Sequence, residues 1–188
     1  GDTVYYVSKA NNNTGHDPSG GLVWTEIVAN DTTTVTNGKI DIKSFYPGEQ
    51  DVYKMVATVP SSGLFNMIVK DIDVYSGSDP VAVNTPRFTE QTTPKRSEIL
   101  SCIGLYAVAV DKDGNQIGST VLTNLNDVPS STGVISGLFP SAPLSAGSTV
   151  TVYYDFFIDG NANQAIHNAI REIGARVIID KVTIAHVS

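Results

Sequence analysis

The sequence has little of what disulfide-stabilised and nucleic-acid-binding proteins rely on. Cys102 is the only cysteine in 188 residues, which excludes an intramolecular disulfide framework. A buried, inert thiol is the favoured interpretation, with an intermolecular disulfide or a catalytic thiol as the alternatives. Charged residues make up only 16% of the chain, below the roughly 25% of an average globular protein, and the net charge is −7. Because an acidic surface repels phosphate backbones, we expect no nucleic-acid partner.

Long apolar runs are also missing, so no segment reaches the about 18 apolar residues of a membrane-spanning helix, and none is expected. The chain begins at Gly1, as either signal-peptide cleavage or recombinant expression would leave it. Two glycosylation sequons, at Asn12 and Asn30, favour the outside of the cell and make these residues candidates for carrying glycans. We therefore expect a secreted, extracellular protein.

The motifs of common catalytic sites are absent as well. The three histidines have no metal-ligand spacing, no serine stands in a nucleophile elbow, and no glycine pattern forms a phosphate loop. Two carboxylate pairs, Asp71 with Asp73 and Asp155 with Asp159, are the remaining candidates for hydrolysis. We expect them to face solvent from strands, since no acid–base partner is identifiable, and we do not expect an enzyme.

What the sequence does contain is the two-residue apolar period of half-buried strands. Ile40 and Ile42 alternate with charged residues directly after the turn signal Asn37-Gly38. Similar patterns, bounded by turn residues, predict strands at residues 2–9, 22–28, 33–36, 38–45, 51–60, 64–75, 99–111, 116–122, 149–158 and 176–187, with a short one near 81–83. Residues 76–97 and 124–148 are predicted to be mainly loops.

One helix is predicted, over residues 164–173. Its isoleucines recur at helical spacing, Asn163 can cap its start, and Gly174 can end it. About nine to eleven strands with a single helix, and no strand–helix alternation, predict an all-β fold. We expect an antiparallel jelly-roll β-sandwich with one short helix near the C-terminus.

The N-terminal segment is predicted to stand apart from this sandwich. Residues 2–9 form a strand candidate, whereas residues 10–21 are rich in Asn and Gly and predict a flexible tether. The expected organisation is therefore a donor strand with its tether over 1–21 and the sandwich over 22–188. A tethered strand without an obvious partner in its own chain is what strand addition to a neighbouring sheet requires.

Calcium is the metal that the acidic composition favours, because aspartate oxygens are its usual ligands. Asp111-Lys112-Asp113-Gly114-Asn115 resembles the start of a calcium loop, and a plain Asp-Gly hairpin turn is the alternative. An oxygen-rich turn before the predicted helix is either a second site or a helix cap. The candidate ligands are Asp111, Asp113, Asn115, Asp71, Asp73, Asp79, Asp159 and Asn161.

The short motifs around the first turns resemble a known family. Asn37-Gly38-Lys39-Ile40-Asp41-Ile42, followed by Tyr46-Pro47-Gly48-Glu49, is similar to the opening of the TasA/camelysin family. The resemblance covers roughly residues 34–75 and 147–187, and archaeal bundling pilins and cannula subunits look like the same theme. It implies a secreted jelly-roll subunit of extracellular fibres. No motif here carries the metallopeptidase activity described for camelysin.

This family resemblance also implies polymerisation by donor-strand complementation, in which an N-terminal strand completes a sheet of the next subunit. The donor implied here is Thr3, Val4, Tyr5, Tyr6, Val7 and Ser8; the strand beginning at Leu22 is the alternative donor. We therefore expect a structural subunit of an extracellular filament or tubule, in a biofilm or a cell–cell connection. Its partners would be copies of itself in a helical homopolymer, with calcium at subunit contacts and glycans as further partners.

The rival interpretation is a calcium-dependent carbohydrate-binding β-sandwich. It would use the Asp111 loop together with exposed aromatic side chains as a sugar-stacking surface. The candidate aromatics are Tyr5, Tyr6, Trp24, Tyr46, Tyr53 and Tyr75, although their scatter over separate strands is also typical of core and interface residues.

Overall fold

Eleven strands and two short helices make up the part of the chain that the computed structural model describes, residues 5–8, 24–27, 33–35, 37–42, 50–77, 87–158, 163–173 and 175–187. In chain order they are β1 (Tyr5–Ser8), β2 (Trp24–Ile27), β3 (Thr33–Thr34), β4 (Ile40–Ile42), β5 (Gln50–Thr58), β6 (Phe65–Ser76), α1 (Arg96–Cys102), β7 (Ile103–Asp111), β8 (Gln116–Asn124), β9 (Val134–Ile135), β10 (Thr149–Ile158), α2 (Gln164–Ile173) and β11 (Ala175–His186).

Nine of these strands form two sheets. One sheet has five strands in the order β3-β5-β10-β7-β8, and the other has four in the order β4-β11-β6-β9. Every pairing within them is antiparallel except that of β3, which runs parallel to β5. Among the described strands, the remaining two, β1 and β2, pair with each other and with no third strand.

The pairing of β4 to β11 follows a nested order. The first strand of this set pairs with the last (β4–β11), the second with the last but one (β5–β10), the third with β9 (β6–β9), and the two central strands with each other (β7–β8). An antiparallel ribbon folded over in this way is a jelly roll. The predicted all-β antiparallel sandwich is therefore confirmed.

The core between the sheets follows the alternation of the strands. On β10, Val150, Val152, Tyr154 and Phe156 are all nearly inaccessible and belong to the core, as the predicted pattern requires. The Tyr154 hydroxyl donates to the Met67 sulfur at 3.0 Å, so its polar end has a partner inside the apolar layer. Burial raises the pKa of Tyr154 well above its ordinary value.

Strands β6 and β11 change their inward face at the same place. On one side of this change along the strands, the paired core residues are Met67 with Ile184 and Val69 with Val182. Beyond the change, Ile72 and Ile179 are the paired core residues. Simple alternation along residues 64–75 puts Val69 and Ile72 on opposite faces, but both pack on the core. Since both strands break their alternation together, the register is kept and the apolar side chains still meet.

The predicted helix is confirmed, and a second one was missed. Helix α2 spans Gln164–Ile173, and the side-chain oxygen of Asn163 accepts the N–H of Ala165 at 2.8 Å, as a capping residue does. Helix α1 occupies Arg96–Cys102, so the strand predicted from residue 99 begins only at Ile103. The predicted loop over 124–148 likewise contains β9.

Cys102 is buried, as predicted, and its thiol donates to the Glu98 carbonyl at 3.3 Å from the last turn of α1. Within the described ranges, neither helix is long and apolar enough to cross a membrane.

The predicted N-terminal strand has a partner in its own chain. β1 pairs antiparallel with β2, with Tyr5 opposite Ile27 and Ser8 opposite Trp24. The expectation that this strand has no partner in its own chain was therefore wrong. The strand predicted at residues 22–28 belongs, where it is described, to this two-stranded sheet rather than to the sandwich.

Candidate functional site

A groove opens along one lateral side of the sandwich, between the two sheets. It is lined by β5 at Met55, Val56 and Ala57, by β11 from Asp180 to Ile184, and by the turn at Asn37 and Gly38, and it has a volume of about 420 Å³. Met55 and Ile184 also pack against the core. We call this feature the lateral groove.

The groove exists because the strands that should close this side are short. β10 pairs with one edge of β5 along the whole strand, whereas β3 covers the other edge only at Tyr53 and Lys54. The N–H of Val35 adds one more bond there, donating to the Lys54 carbonyl at 2.7 Å. In the described part of the chain, no strand pairs with that edge of β5 over residues 55–58.

In the facing sheet, too, the strand at this side is short. β6 covers one edge of β11 throughout, but β4 reaches only Val177, Ile178 and Ile179 on the other edge. Beyond them the N–H of Val182 donates to the Gly38 carbonyl at 2.6 Å. Among the described strands, none continues along residues 183–186 of that edge, so two strand edges face the groove with backbone groups to offer.

The turn at Asn37-Gly38 lines the groove at one end. Both residues have positive φ, at 56° and 67°, as the sequence predicts for a tight turn. The turn does not join two paired strands, however, because β3 lies in one sheet and β4 in the other. The chain thus crosses from sheet to sheet here and fills only part of the lateral opening.

Charge is concentrated at this end of the groove. Lys39 and Asp180 form an exposed ion pair at 3.3 Å, and Lys181 follows on β11. The other end, at Ala57 and Ile184, is apolar. The groove therefore has a polar and an apolar end, separated by about three residues of β-strand, or roughly 10 Å.

The predicted calcium loop is a hydrogen-bonded hairpin turn. One Asp111 carboxylate oxygen accepts the N–H groups of Asp113 and Asn115, at 2.9 and 2.8 Å, and the other accepts the Asn115 amide at 3.2 Å. These bonds, the Asn115 backbone first, lower the pKa of Asp111. Asp113 pairs with Lys112 at 2.7 Å. The Asp-Gly hairpin alternative accounts for all of these contacts.

The structure brings Asp71 and Asp73 together in a different setting. Both line a cleft of about 530 Å³ between β6, α1 and the loop after β8, which also contributes Asp127. The Asp127 carboxylate accepts the Asn124 amide at 2.7 Å, and Asp73 lies 3.6 Å from Arg87. Sequence reasoning missed Asp127, although the run Asn124 to Asp127 is rich in oxygen ligands.

No group of three or more His, Cys, Asp or Glu side chains in the described ranges is arranged to hold a metal ion. Calcium binding therefore stays a prediction. Asp79, Asp159 and Asn161 lie outside the described residues, as do both sequon asparagines, Asn12 and Asn30.

Three residues of the rival interpretations, Asp155, Tyr53 and Tyr75, are buried. Asp155 was expected to face solvent, but it is inaccessible and accepts the Gln50 amide at 2.7 Å. Tyr53 is buried; its hydroxyl donates to the Asp41 carbonyl at 3.2 Å, and its ring packs edge-on against Phe156. Desolvation is the main reason why the pKa of Tyr53 lies well above its ordinary value.

Tyr75 is also buried, with Arg87 over its ring and two guanidinium nitrogens at 2.7 and 3.1 Å from its hydroxyl. Neither of these two tyrosines offers a ring face to a sugar.

Compared with known protein families, with curated proteins and with solved structures, the chain matches none of them.

Proposed function

We propose that the protein is a structural subunit of an extracellular filament or tubule, and that the lateral groove accepts the N-terminal strand of a neighbouring subunit. The observation that supports this most directly is the pair of strand edges, on β5 and β11, that face the groove beyond the reach of β3 and β4. Such edges favour aggregation unless they are covered, and a donated strand covers them specifically.

The pairing of β1 with β2 is compatible with donation. A strand has two edges, and β2 occupies only one edge of β1. Among the described strands only β2 pairs with Tyr5–Ser8, so the donor that we propose is β1, with β2 still attached, adding its second edge to β5. Because the donating segment and the accepting groove are different surfaces, the contact is head to tail, and repeating it gives an open helical assembly.

The resemblance to the TasA/camelysin family supports the same role and a secreted location. Calcium at subunit contacts is part of the proposal, with Asp71 and Asp73 as the described ligands, because their cleft has further oxygen groups. The burial of Tyr53 and Tyr75 and the closed turn at Asp111 disfavour the carbohydrate-binding alternative.

Negative-stain electron microscopy of the purified chain, with EDTA and with millimolar Ca²⁺, tests the proposal. Ordered fibres or tubes are expected, and deletion of residues 1–9 should leave a folded monomer that does not polymerise. Fibres of unchanged length from that deletion would contradict the proposal. Assembly that EDTA does not alter would remove calcium from it.

A further inference from the structure

A small apolar cavity of about 60 Å³ lies beside the apolar end of the lateral groove. Ala57 and Ile184 line both the groove and the cavity, so the two spaces adjoin. The cavity is otherwise lined mainly by carbon, with Phe65, Phe139 and Val150 among its walls. It exceeds the roughly 10–15 Å³ that one water molecule needs, but such walls give water few polar partners.

We propose that this cavity is an anchor pocket for one side chain of the donated strand, Val7 from a second copy of the chain. This inference rests on the proposed function and identifies where the donor is held. Ala57 lines both spaces and carries only a methyl group, so it obstructs a side chain from the groove less than a larger residue would. A side chain entering there would replace a void with packing contacts, and the core of the accepting subunit would be completed by its neighbour.

The chemistry of the pocket selects valine from the donor strand. The apolar side chains of residues 3–8 are Val4, Tyr5, Tyr6 and Val7. A tyrosine placed in this pocket would bury its hydroxyl among carbon atoms, which costs free energy unless a partner is present. A valine has no such group.

Charge and length select Val7 over Val4. Asp2 precedes the donor strand, and Lys181 gives the polar end of the groove an excess of one positive charge beside the Lys39–Asp180 pair. With Asp2 beside that end, the strand runs toward Ala57, parallel to β5 as β3 does. The two ends of the groove are roughly 10 Å apart, and Val7 lies about 16 Å beyond Asp2. Val7 therefore reaches the apolar end when Asp2 is held about 6 Å outside the polar end, within reach of the long, exposed Lys181 side chain, and Val4 then lies at the polar end.

The matched variants Val7→Ala and Val4→Ala test the assignment in the full-length chain. They remove the same two methyl groups from opposite faces of one strand. We expect Val7→Ala to raise the critical concentration for assembly about tenfold, and Val4→Ala to change it less than about twofold. Sedimentation of polymer from a dilution series measures both.

The accepting side is tested by Ala57→Leu, which fills the cavity from within. The monomer should then melt at a higher temperature while assembly weakens, a combination that a purely structural role of Ala57 does not produce. Adding Val7→Ala to Ala57→Leu should cause no further loss, because the pocket is already occupied. If Ala57→Leu does not fold, the two valine variants still decide the matter, since they lie in the donor.

Failure of the anchor and failure of the proposed function are distinguishable. Wild-type protein that forms no polymer under any condition overturns both. Wild-type polymer together with equal effects of Val7→Ala and Val4→Ala, or with normal assembly of Ala57→Leu, overturns the anchor pocket alone.

Discussion

Asp71 on β6 and Asp180 on β11 occupy the one position where the β6–β11 ladder is interrupted, between the paired residues Lys70–Lys181 and Ile72–Ile179. Asp71 has a positive φ of 57°, unusual within a strand, and both strands change their inward face at this point. The left-handed conformation therefore turns a charged residue outward where simple alternation would place it in the core.

Replacing Asp71 separates the backbone requirement from the charge. Asp71→Gly should be close to neutral for stability, because glycine adopts positive φ without strain. Asp71→Val should cost about 1–2 kcal/mol, since a β-branched residue fits this conformation poorly. Urea unfolding in dilute solution measures both; equal midpoints for the two variants would contradict the backbone explanation.

Two ion pairs that join the region of β4 to β11 should differ strongly in how much they contribute to the free energy of unfolding. Arg176 is buried and binds both carboxylate oxygens of Asp41, at 2.9 and 2.6 Å, whereas Lys39 and Asp180 are about half exposed. Arg176→Met should destabilise the chain by about 2–3 kcal/mol, because Asp41 loses its partner in a partly buried site.

Lys39→Met serves as the matched control, since an exposed pair contributes at most about 1 kcal/mol. Thermal unfolding of both variants at one pH measures the difference. A loss from Lys39→Met as large as that from Arg176→Met would contradict this ranking.

The Asp111 turn predicts an acid sensitivity with a defined sign. Hydrogen bonds from Asn115 and Asp113 hold the folded-state pKa of Asp111 below its unfolded value. The stability that this carboxylate contributes is thus present above the ordinary aspartate pKa and is lost as the pH falls through the folded value.

Asp111→Asn keeps an acceptor oxygen for the turn but removes the titration. Between pH 7 and pH 2, the melting temperature of this variant should fall less than that of the wild type. Parallel melting curves across this range would show that the Asp111 hydrogen bonds do not couple to stability.

Charge reversal tests the orientation of the donated strand. Asp2→Lys and Lys181→Glu should each weaken assembly several-fold at low salt, and combining them should restore much of it, because the attraction is re-formed with the signs exchanged. The effect should shrink at high ionic strength. Additive losses in the double variant would argue against contact between these two residues.

The strands and the helix with regular apolar patterns could be predicted from the sequence. Residues 149–158 and 164–173 match β10 and α2, because apolar period and end signals agree there. Helix α1 could not be predicted: it has seven residues, and its first N–H groups are met by Glu98 and Glu90 rather than by a Ser, Thr, Asp or Asn cap at Lys95.

The lateral groove lay beyond sequence reasoning because it depends on which strands become neighbours. Nothing local shows that β4 pairs over only three residues of β11 or β3 over only two of β5. One signal was present: Asp180-Lys181 interrupts the apolar alternation of the last strand. It marks the polar end of the groove, but its meaning appears only once β5 lies across from it.

The pairing of β4 with β11 has a mechanical consequence. Ile40 pairs with Ile179, so the chain entering β4 and the chain leaving β11 toward His186 depart from the same end of this ladder. A force that pulls these two chain segments apart would break the three residue pairs of the ladder one after another. A sheet resists such a force less than one that must break all of its pairs at once. The Arg176–Asp41 pair, the Lys39–Asp180 pair and the Gly38–Val182 hydrogen bond all bridge this junction. These three contacts therefore strengthen the sandwich at the place where a pulling force would separate β4 from β11 first.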